Sequence, residues 1–591
     1  MPPKSDLAAL QAQWEAAWQP ALALWSKFTR LRDPRWCLSF AEAESEGLTE
    51  SFAMIRLVDQ TVVIDLDQIQ RRQLQAYALE ILGHEIGHHV FCPADLTDNA
   101  RVLARMRWAL PSKEHLAPLI ANLYADLLVN DRLERSAGLR VAEVYRIIGG
   151  GAGDPLWTLY MRIYEILWVL PKGTLARGAI DDRLEGDAQL GARLVRSYAR
   201  DWLEGAGRFA ALCLPYVLSE PSEQLVGILR ALRDMSQAGK GAVPPGLTDI
   251  EDGEREGAIH PALDPALSGI EVEDAKQADR VTGPLVDAQR PIGSTGQYRE
   301  PFEYGQILRA LGLDLSDHEI AIRYYRELAG PHLVRFPTRP TPKAGDVLPE
   351  GLEPWDLGAP LEDADWNESV LISPHVVPGM TTVQRVWGRE EDTLPVQEPI
   401  DLDLYVDSSG SMPDPQVNLS FAALAGVIVA LSALRAGSRV QVTLWSGARQ
   451  FQSTQGFIED QHRVMEVLTG YIGGGTAFPI HKLRETYATR SPSARPVHIL
   501  IVSDSGVTTI FEKDERGESG LGAAQAALEK ARGGGTMVLN IPPRYKDRDL
   551  DRALAQGWNI DRVSTSEELV DFARAFSARR FGKSTAATGG R

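Results

Sequence analysis

Residues 401–411 read DLDLYVDSSGS, a short apolar segment that runs directly into a loop of acid and hydroxyl side chains. Similar apolar segments follow, each separated from the next by a segment with helical spacing: RVQVTLW from residue 439, VHILIVSD from 497 and TMVLNI from 536. Apolar strands that alternate with helices are typical of a parallel sheet covered on both faces. The sequence therefore predicts an α/β domain with a doubly wound, Rossmann-like sheet in the C-terminal part of the chain.

Five oxygen-bearing side chains fall at or just after the ends of these strands. They are Asp407, Ser409 and Ser411 after the first strand, Thr476 in the loop GGGTAFP, and Asp504 at the end of VHILIVSD. The carboxyl ends of parallel strands form the edge at which such sheets bind ligands. Carboxylate and hydroxyl oxygens suit a hard, octahedral cation, so we predict a site for Mg²⁺ or Mn²⁺ at this edge.

This set of residues resembles the metal-ion-dependent adhesion site (MIDAS) of von Willebrand factor A (VWA) domains, and all five positions match. The resemblance covers roughly residues 396–582. It implies that the hydroxyls contact Mg²⁺, that the aspartates often act through water, and that the sixth position accepts an acidic side chain of a partner protein. An A-type domain with a structural or unused metal site is the alternative. The set holds no nucleophile with an adjacent base, so we expect binding and no catalysis there.

A second motif, LGHEIGHHVF at 82–91, contains the pattern His-Glu-x-x-His. In a helix, His84 and His88 lie one turn apart on one face, so both imidazoles can reach one tetrahedral cation. Glu85 can then act as the general base for a water molecule that zinc activates. The preceding segment TVVIDL is interpreted as an edge strand beside this helix, as in zincins. His89 points about 100° away and is predicted to pack. A buried helix that happens to carry histidines is the alternative.

The third zinc ligand is sought in ANLYADLLVNDRLE at 121–134, where Asn122, Asp126 and Asn130 share one helical face. Such a polar stripe is often only a solvent-facing surface. The segment partly matches the metallopeptidase domains found with A-type domains in bacteria, and that resemblance implies that Asp126 is the third ligand. The other candidates for this ligand are His115, Asp131 and Glu134.

Composition places the chain among soluble multidomain proteins, with 591 residues, 44% of them hydrophobic and 24% charged. The net charge of -18 argues against nucleic-acid binding. Three dispersed cysteines do not form a disulfide framework. The N-terminus lacks a signal-peptide pattern and the longest apolar run, 421–434, is too short for a bilayer, so we expect a cytoplasmic protein without membrane contact.

The expected organisation follows from these patterns and from breaks in composition. It comprises an α+β zincin-like domain over 1–148, a helical extension over 149–237, an acidic Gly/Pro-rich linker over 238–298, a connecting helical and irregular segment over 299–395, the VWA domain over 396–582, and a flexible tail over 583–591. The linker prediction rests on aperiodic sequence and on five acids against one arginine between 249 and 256.

The expected function is that of a zinc-dependent peptidase tethered to a module that recruits an acidic partner. Chains with intracellular A domains resemble the partners of MoxR-type AAA+ ATPases, so such an ATPase is the expected partner. The chain has no Walker A motif, and ATP hydrolysis would come from another protein. The alternative is a non-enzymatic adaptor or chaperone subunit of an AAA+ ATPase, similar to chelatase subunits, with an inactive zincin domain.

Overall fold

The structure, a computed structural model, describes most of the chain. The described residues are 4–49, 51–149, 153–218, 235–236, 243–267, 297–334, 336, 338–341, 347–389, 396–514, 516–542, 544–563, 565, 568, 572 and 576. They form two compact units, Met1–Glu327 with Gln416–Leu419, and Leu328–Pro415 with Ser420–Arg591. Each unit has its own sheet and helices, which confirms that the protein is multidomain. Among the described residues, no helix is both long enough and apolar enough to cross a bilayer. The predicted tail over 583–591 lies outside them.

The first unit contains a four-stranded mixed sheet. Its strands are β1 (Arg35–Cys37), β2 (Ala53–Arg56), β3 (Thr61–Asp65) and β4 (Met235–Ser236), in the order β1-β3-β2-β4. Strand β3, the TVVIDL segment, is fully buried and pairs in parallel with β1 and antiparallel with β2. The interpretation of this segment as an edge strand was therefore wrong. The histidine helix packs against β2, which pairs with β3 on the side opposite β1.

Among the residues that the structure describes up to Ala329, twelve α-helices accompany this sheet. They are α1 (Lys4–Trp25), α2 (Phe40–Ser45), α3 (Leu66–Arg71), α4 (Ala78–Val90), α5 (Leu96–Ala109), α6 (Ala117–Ser136), α7 (Val141–Ile148), α8 (Pro155–Leu167), α9 (Asp182–Ser197), α10 (Trp202–Val217), α11 (Pro301–Ala310) and α12 (Asp317–Ala329). A capping box precedes α12, because the backbone N–H of Glu319 donates to Ser316 Oγ and Ser316 N–H donates to the Glu319 carboxylate.

Helix α4 carries the His-Glu-x-x-His motif and lies between α1 and α6. Gly87, between the two histidines of the motif, permits this close packing. A Cβ at Gly87 would lie 2.5 Å from Val129 Cγ1 on α6 and 2.6 Å from Trp25 Cζ2 on α1. The indole N–H of Trp25 also donates to the carbonyl of Gly83 across 2.8 Å. The motif is thus fixed within the core of the unit, close to α6.

Residues 243–267, predicted as part of a solvated linker, are packed against the helices of the first unit. Glu251 forms ion pairs with Arg101 and Arg105 of α5, each at 2.8 Å. The Glu254 carboxylate is buried and forms an ion pair at 2.8 Å with Arg299. The linker prediction was wrong over this range because two of the acids that suggested a flexible spacer, Glu251 and Glu254, are paired with arginines distant in sequence. Residues 268–296 of the predicted linker lie outside the described residues.

In its described residues, the second unit holds two small antiparallel ribbons and one larger sheet. The ribbons pair β5 (Thr338–Thr341) with β8 (Val396–Pro399), and β6 (Val347–Pro354) with β7 (Val383–Arg389). The larger sheet contains β9 (Asp401–Asp407), β10 (Val440–Trp445), β11 (Phe451–Ser453), β12 (Val497–Ser503), β13 (Arg532–Leu539) and β14 (Trp558–Arg562). The helices are α13 (Trp366–Ile372), α14 (Phe421–Arg435), α15 (Gln461–Leu468), α16 (Ile480–Ala488), α17 (Gly520–Ala531) and α18 (Arg548–Ala555).

The six strands of the larger sheet follow the order β11-β10-β9-β12-β13-β14. All neighbours are parallel except β11, which runs antiparallel to β10. The strands β10 and β11 are therefore added on one side of β9, and the strands from β12 onward are added on its other side. This is the doubly wound α/β arrangement that the sequence predicts. The reversal between β9 and β12 places a crevice at their carboxyl ends, where such sheets bind ligands.

Candidate metal centres

The first candidate centre begins with two imidazoles on α4. Nε2 of His84 and Nε2 of His88 lie 3.2 Å apart, as residues one helical turn apart on one face allow. His88 is completely buried, whereas the His84 side chain is 14% exposed. Two ring nitrogens are therefore aimed at a common point that is open to solvent on the side of His84.

A carboxylate from α6 completes a triangle with these nitrogens. Oδ1 of Asp126 lies 3.5 Å from His88 Nε2 and 3.8 Å from His84 Nε2. In tetrahedral zinc sites with ligand bonds of about 2.0–2.1 Å, donor atoms lie about 3.3 Å apart. The three atoms can hold one metal ion with little rearrangement. Three protein ligands would leave one coordination position for water or substrate.

Hydrogen bonds fix the orientation of the three side chains. Nδ1–H of His84 donates to Asn130 Oδ1 across 2.7 Å, and Nδ1–H of His88 donates to the carbonyl oxygen of Cys92 across 2.9 Å. Each histidine therefore presents an unprotonated Nε2 to the centre. The amide of Asn122 donates to Oδ2 of Asp126 across 3.1 Å, which leaves Oδ1 turned toward the imidazoles. Three acceptor atoms converge, and a cation is the chemical species that such a set suits.

A group of three buried tyrosine hydroxyls lies behind Asn130 and was not predicted from the sequence. The Asn130 amide donates to the hydroxyls of Tyr145 and Tyr164, at 3.1 and 2.9 Å. The hydroxyl of Tyr160 lies 2.9 Å from that of Tyr164 and 3.2 Å from that of Tyr145. Burial raises the pKa of Tyr160 and Tyr164 well above the ordinary tyrosine value, so both phenols stay protonated. The one sequence feature that could have indicated this group is the spacing of Tyr160 and Tyr164, which are one helical turn apart.

A cavity opens beside the cluster and is lined by the motif on one side and by α7 on the other. Glu85 lines it together with His84 and Asp126, and the Glu85 side chain is buried. The rest of the lining is largely apolar. It includes Phe52, Ile81, Val141, Val144, Tyr145 and Ile148. The arrangement can admit an apolar side chain next to the three candidate ligands and the carboxylate.

The other residues considered as third ligands have different partners. Asp131 pairs with Arg135 through contacts of 2.8 to 3.1 Å. The Glu134 carboxylate accepts from the backbone N–H of Ala142 across 3.1 Å, and burial raises its pKa. His115 is exposed. Among the residues that the structure describes, the cluster able to hold a metal ion contains Asp126 and none of these three.

His89 does not join the cluster either. It is half-buried, and burial lowers the pKa of its imidazole. This agrees with the geometry of a helix, in which His89 is rotated away from His88.

The second candidate centre lies at the carboxyl ends of β9 and β12 in the second unit. Asp407 ends β9, and its Oδ1 accepts from the backbone N–H of Ser409 across 2.9 Å. The hydroxyls of Ser409 and Ser411 are 3.1 Å apart, and the Ser411 hydroxyl donates to Oδ2 of Asp504 across 2.8 Å. Four of the five residues predicted from the sequence are thus joined by direct contacts.

Thr476 reaches the same place from the loop after α15. A Cβ built on Gly506 would lie 2.4 Å from Thr476 Cγ2, 3.0 Å from Asp504 Oδ1 and 3.6 Å from Asp407 Oδ2. Gly506 therefore marks a point that all three side chains border. The loop is held there by its backbone, because Gly410 N–H donates to the carbonyl of Gly474 across 2.9 Å. The structure brings together all five residues of the predicted set.

Two carboxylates meet in this crevice, and burial raises the pKa of Asp407, with a further rise from the negative charge of Asp504. Hydrogen bonds oppose that rise. The strongest comes from the hydroxyl of Ser503, which donates to Asp407 Oδ2 across 2.5 Å. Ser503 was not predicted, although it directly precedes Asp504 at the end of β12. Close carboxylates with hydroxyls around them form a donor set that suits a hard divalent cation.

Comparisons with known proteins add little to this geometry. No model of a protein family matches the chain, and no curated protein matches it. One solved structure that matches is described as von Willebrand factor type A from Catenulispora acidiphila, with 16% sequence identity and a TM-score of 0.22. The match covers 31% of this chain and 44% of that one, so the chain spans less than half of that protein. A similarity at this TM-score does not establish a shared fold, and function is inferred from the two sites.

Proposed function

We propose that the first unit is a zinc-dependent peptidase of zincin type, and that the second is a VWA domain with a MIDAS. In this proposal the zinc ligands are His84, His88 and Asp126, and Glu85 is the catalytic base. The second site holds Mg²⁺ or Mn²⁺ and binds an acidic side chain of a partner protein. The observation that carries the peptidase proposal is the convergence of three oriented acceptor atoms beside a cavity that the Glu85 carboxylate also lines.

The donor set fits zinc, since two imidazoles and one carboxylate are a ligand combination of catalytic zinc sites. When bound, zinc supplies Lewis acidity, which polarises a peptide carbonyl and lowers the pKa of water. Glu85 accepts a proton from the attacking water at its carboxylate and passes it to the leaving amine. Helix α7 holds the substrate through its apolar residues. The buried phenols and Asn130 keep His84 in one tautomer throughout the reaction.

The second site fits Mg²⁺ or Mn²⁺ because all its side-chain donors are oxygen atoms at the switch point of the sheet. The residues proposed to hold the ion, directly or through water, are Asp407, Ser409, Ser411, Thr476 and Asp504. A divalent ion with a remaining open position attracts a carboxylate from another protein. We further propose a MoxR-type AAA+ ATPase as that partner, which would supply the ATP hydrolysis for which this chain has no Walker A motif.

The experiment that tests the peptidase proposal compares cleavage of an unfolded protein substrate by the wild-type chain and by Glu85→Gln. Loss of a general base lowers the rate by about 10²–10⁴-fold while zinc stays bound. Glu80→Gln is the matched control, because Glu80 lies on the same helix and lines the same cavity but forms an ion pair with Arg140 at 3.2 Å. Equal rates for wild type and Glu85→Gln would reject the peptidase and favour the non-enzymatic adaptor.

A further inference from the structure

A small lobe of the second unit, residues 347–389, carries an unusual number of exposed apolar side chains. The lobe consists of the β6–β7 ribbon, helix α13 and the loops between them. Its large hydrophobic residues that are exposed are Leu352, Leu357, Leu361, Trp366, Val370, Leu371, Ile372, Val377, Met380 and Trp387. Leu371 and Met380 are about as exposed as free side chains, at 78% and 81%. Soluble proteins rarely expose apolar side chains in such groups without a binding role.

The lobe has a buried interior of its own, to which these exposed side chains do not belong. Among its described side chains, the buried apolar ones are Trp355 and Ala364, and the buried polar ones are Ser369 and Thr382. Hydrogen bonds hold this interior together: Trp355 N–H donates to the carbonyl of Thr382 across 2.9 Å, and Val383 N–H donates to Ser369 Oγ across 3.0 Å. The lobe therefore has a defined interior, and its larger apolar residues face outward.

The ribbon and the helix present these residues together. Arg385 on β7 donates to Asp365, the N-cap of α13, across 2.5 Å, which joins the two elements. Leu352 is the strand partner of Arg385, and Trp387 lies two residues further along the same face of β7. At the other end of the lobe, Leu357 lies against Gly379, since a Cβ there would be 2.8 Å from Leu357 Cδ1.

The lobe is also acidic, and its exposed acids are Glu350, Glu353, Asp356, Glu362 and Asp363. Residues 347–389 contain seven acids and two arginines, and no lysine. One of these arginines, Arg385, is already paired with Asp365 and lies 3.9 Å from Glu368. Glu362 and Asp363 are exposed next to Leu361. The lobe thus combines exposed apolar side chains with a set of exposed acids, the acidic rim, whose negative charge repels anionic lipid and attracts a cationic partner.

We propose that the 347–389 lobe is a docking surface for a basic, amphipathic segment of a partner protein. The apolar face of that segment covers the exposed residues of the ribbon and α13, and its lysines or arginines pair with the acidic rim. The assignment goes beyond the proposed peptidase and VWA functions, because no residue of either candidate metal centre belongs to the lobe. Binding at the lobe does not require a metal ion, which separates it from binding at the MIDAS.

The test uses the full chain in EDTA and a synthetic helical peptide with lysine on one face and leucine on the other. A second peptide has glutamate in place of lysine. The wild-type chain binds the lysine peptide and not the glutamate peptide, and added salt weakens the binding. The double variant Leu371→Ser with Met380→Ser binds at least about tenfold more weakly. Glu362→Gln with Asp363→Asn also weakens binding.

The matched control places the same change on the first unit, at Phe28 and Leu263, which are 85% and 74% exposed. Phe28→Ser with Leu263→Ser binds the lysine peptide as the wild type does. Four results would each overturn the proposal. Two concern the peptides: the lobe double variant binds the lysine peptide as tightly as the wild type does, or the wild type binds both peptides equally. The other two are that the wild type binds vesicles of anionic phospholipid and the lobe variant does not, or that the wild type sediments as a dimer and the lobe variant as a monomer. The last two results would assign the lobe to a membrane or to a second copy of the chain.

Discussion

The side-chain amide oxygen of Asn130 lies 2.7 Å from Nδ1 of His84 and determines which nitrogen of that imidazole carries the proton. Nδ2 of Asn130 faces the hydroxyls of Tyr145 and Tyr164 on the other side of the amide. In this orientation the amide oxygen faces His84, and an amide oxygen can only accept. Nδ1 of His84 carries the hydrogen, and the lone pair of Nε2 points at His88 and Asp126.

Substitution of Asn130 tests this relationship. We expect Asn130→Ala to weaken zinc binding by about 10–100-fold, as loss of such orienting contacts does at other metal sites. Asn130→Asp, which keeps an oxygen facing His84, retains most of the affinity. Competition against a chelator of known affinity gives both values. Equal zinc affinity for Asn130→Ala and the wild type would mean that His84 needs no orienting partner.

The apolar wall of the cavity predicts substrate preference. Val144 lines the cavity from α7, whereas Ile147 on the same helix is 40% exposed and does not line it. We expect cleavage sites beside large apolar residues, and a loss of about 10–200-fold in kcat/KM for Val144→Asp, the range that an apolar subsite contact contributes. Ile147→Asp is the matched control and keeps the wild-type rate. A Val144→Asp enzyme as fast as wild type would place the substrate elsewhere.

The features predicted from the sequence are those that depend on local spacing. The sequence alone was enough to locate His84 and His88 one helical turn apart. It was also enough to locate Asp407 and Asp504 at the ends of apolar strands. The break at Arg72–Tyr77, which separates α3 from α4, could not be located in this way. Its signal is weak, since Gln73 adopts a left-handed conformation at φ 61° without being glycine.

Features that depend on contacts between distant segments were missed. The acidic residues near 251 look like a flexible spacer until they are seen beside Arg101 and Arg105, about 150 positions earlier. The hydroxyls around Asn130 come from α7 and α8, and neither helix carries a recognisable motif. Periodicity reveals which face of a helix is buried, but it does not reveal which other helix covers that face.

Binding of a divalent cation at the second centre should stabilise the unit that contains it. We expect Mg²⁺ or Mn²⁺ at about a hundredfold excess over Kd to raise the free energy of unfolding by roughly 2–3 kcal/mol, because the ion binds only the folded state. Asp407→Asn, which removes one of two neighbouring carboxylates, abolishes that increase and leaves the sheet folded. Thermal unfolding with and without Mg²⁺ gives the comparison. An equal increase in wild type and Asp407→Asn would locate the ion elsewhere.

Asp403 predicts a pH dependence of stability in the second unit. It lies within β9, and burial raises the pKa of its carboxyl to about 6, against hydrogen bonds from Tyr487 and Gln441 that lower it. Between the unfolded value of 3.8 and about 6, the unfolded chain releases this proton and the folded chain keeps it, so stability falls as pH rises through that window. Above about pH 6 the loss is constant.

The measurement is urea unfolding of wild type and Asp403→Asn at pH values across this window. The variant has no carboxyl to ionise, so its stability relative to wild type rises with pH by on the order of 3 kcal/mol and then levels off. Glu485→Gln removes a carboxyl from an exposed position of α16 and serves as the control, measured over the same pH range. A flat difference for Asp403→Asn would show that its folded and unfolded pKa values are alike.

Metal content tests the central claim, that the cluster on α4 and α6 is a zinc site, most directly. The chain is stripped with chelator, reloaded with a small excess of zinc, dialysed and analysed for bound zinc. We expect one zinc ion per wild-type chain and per Glu85→Gln chain, and none per chain of His88→Ala, whose far-UV circular dichroism stays that of the wild type. A wild-type chain that retains no zinc, or a His88→Ala chain that retains one equivalent, would contradict the claim.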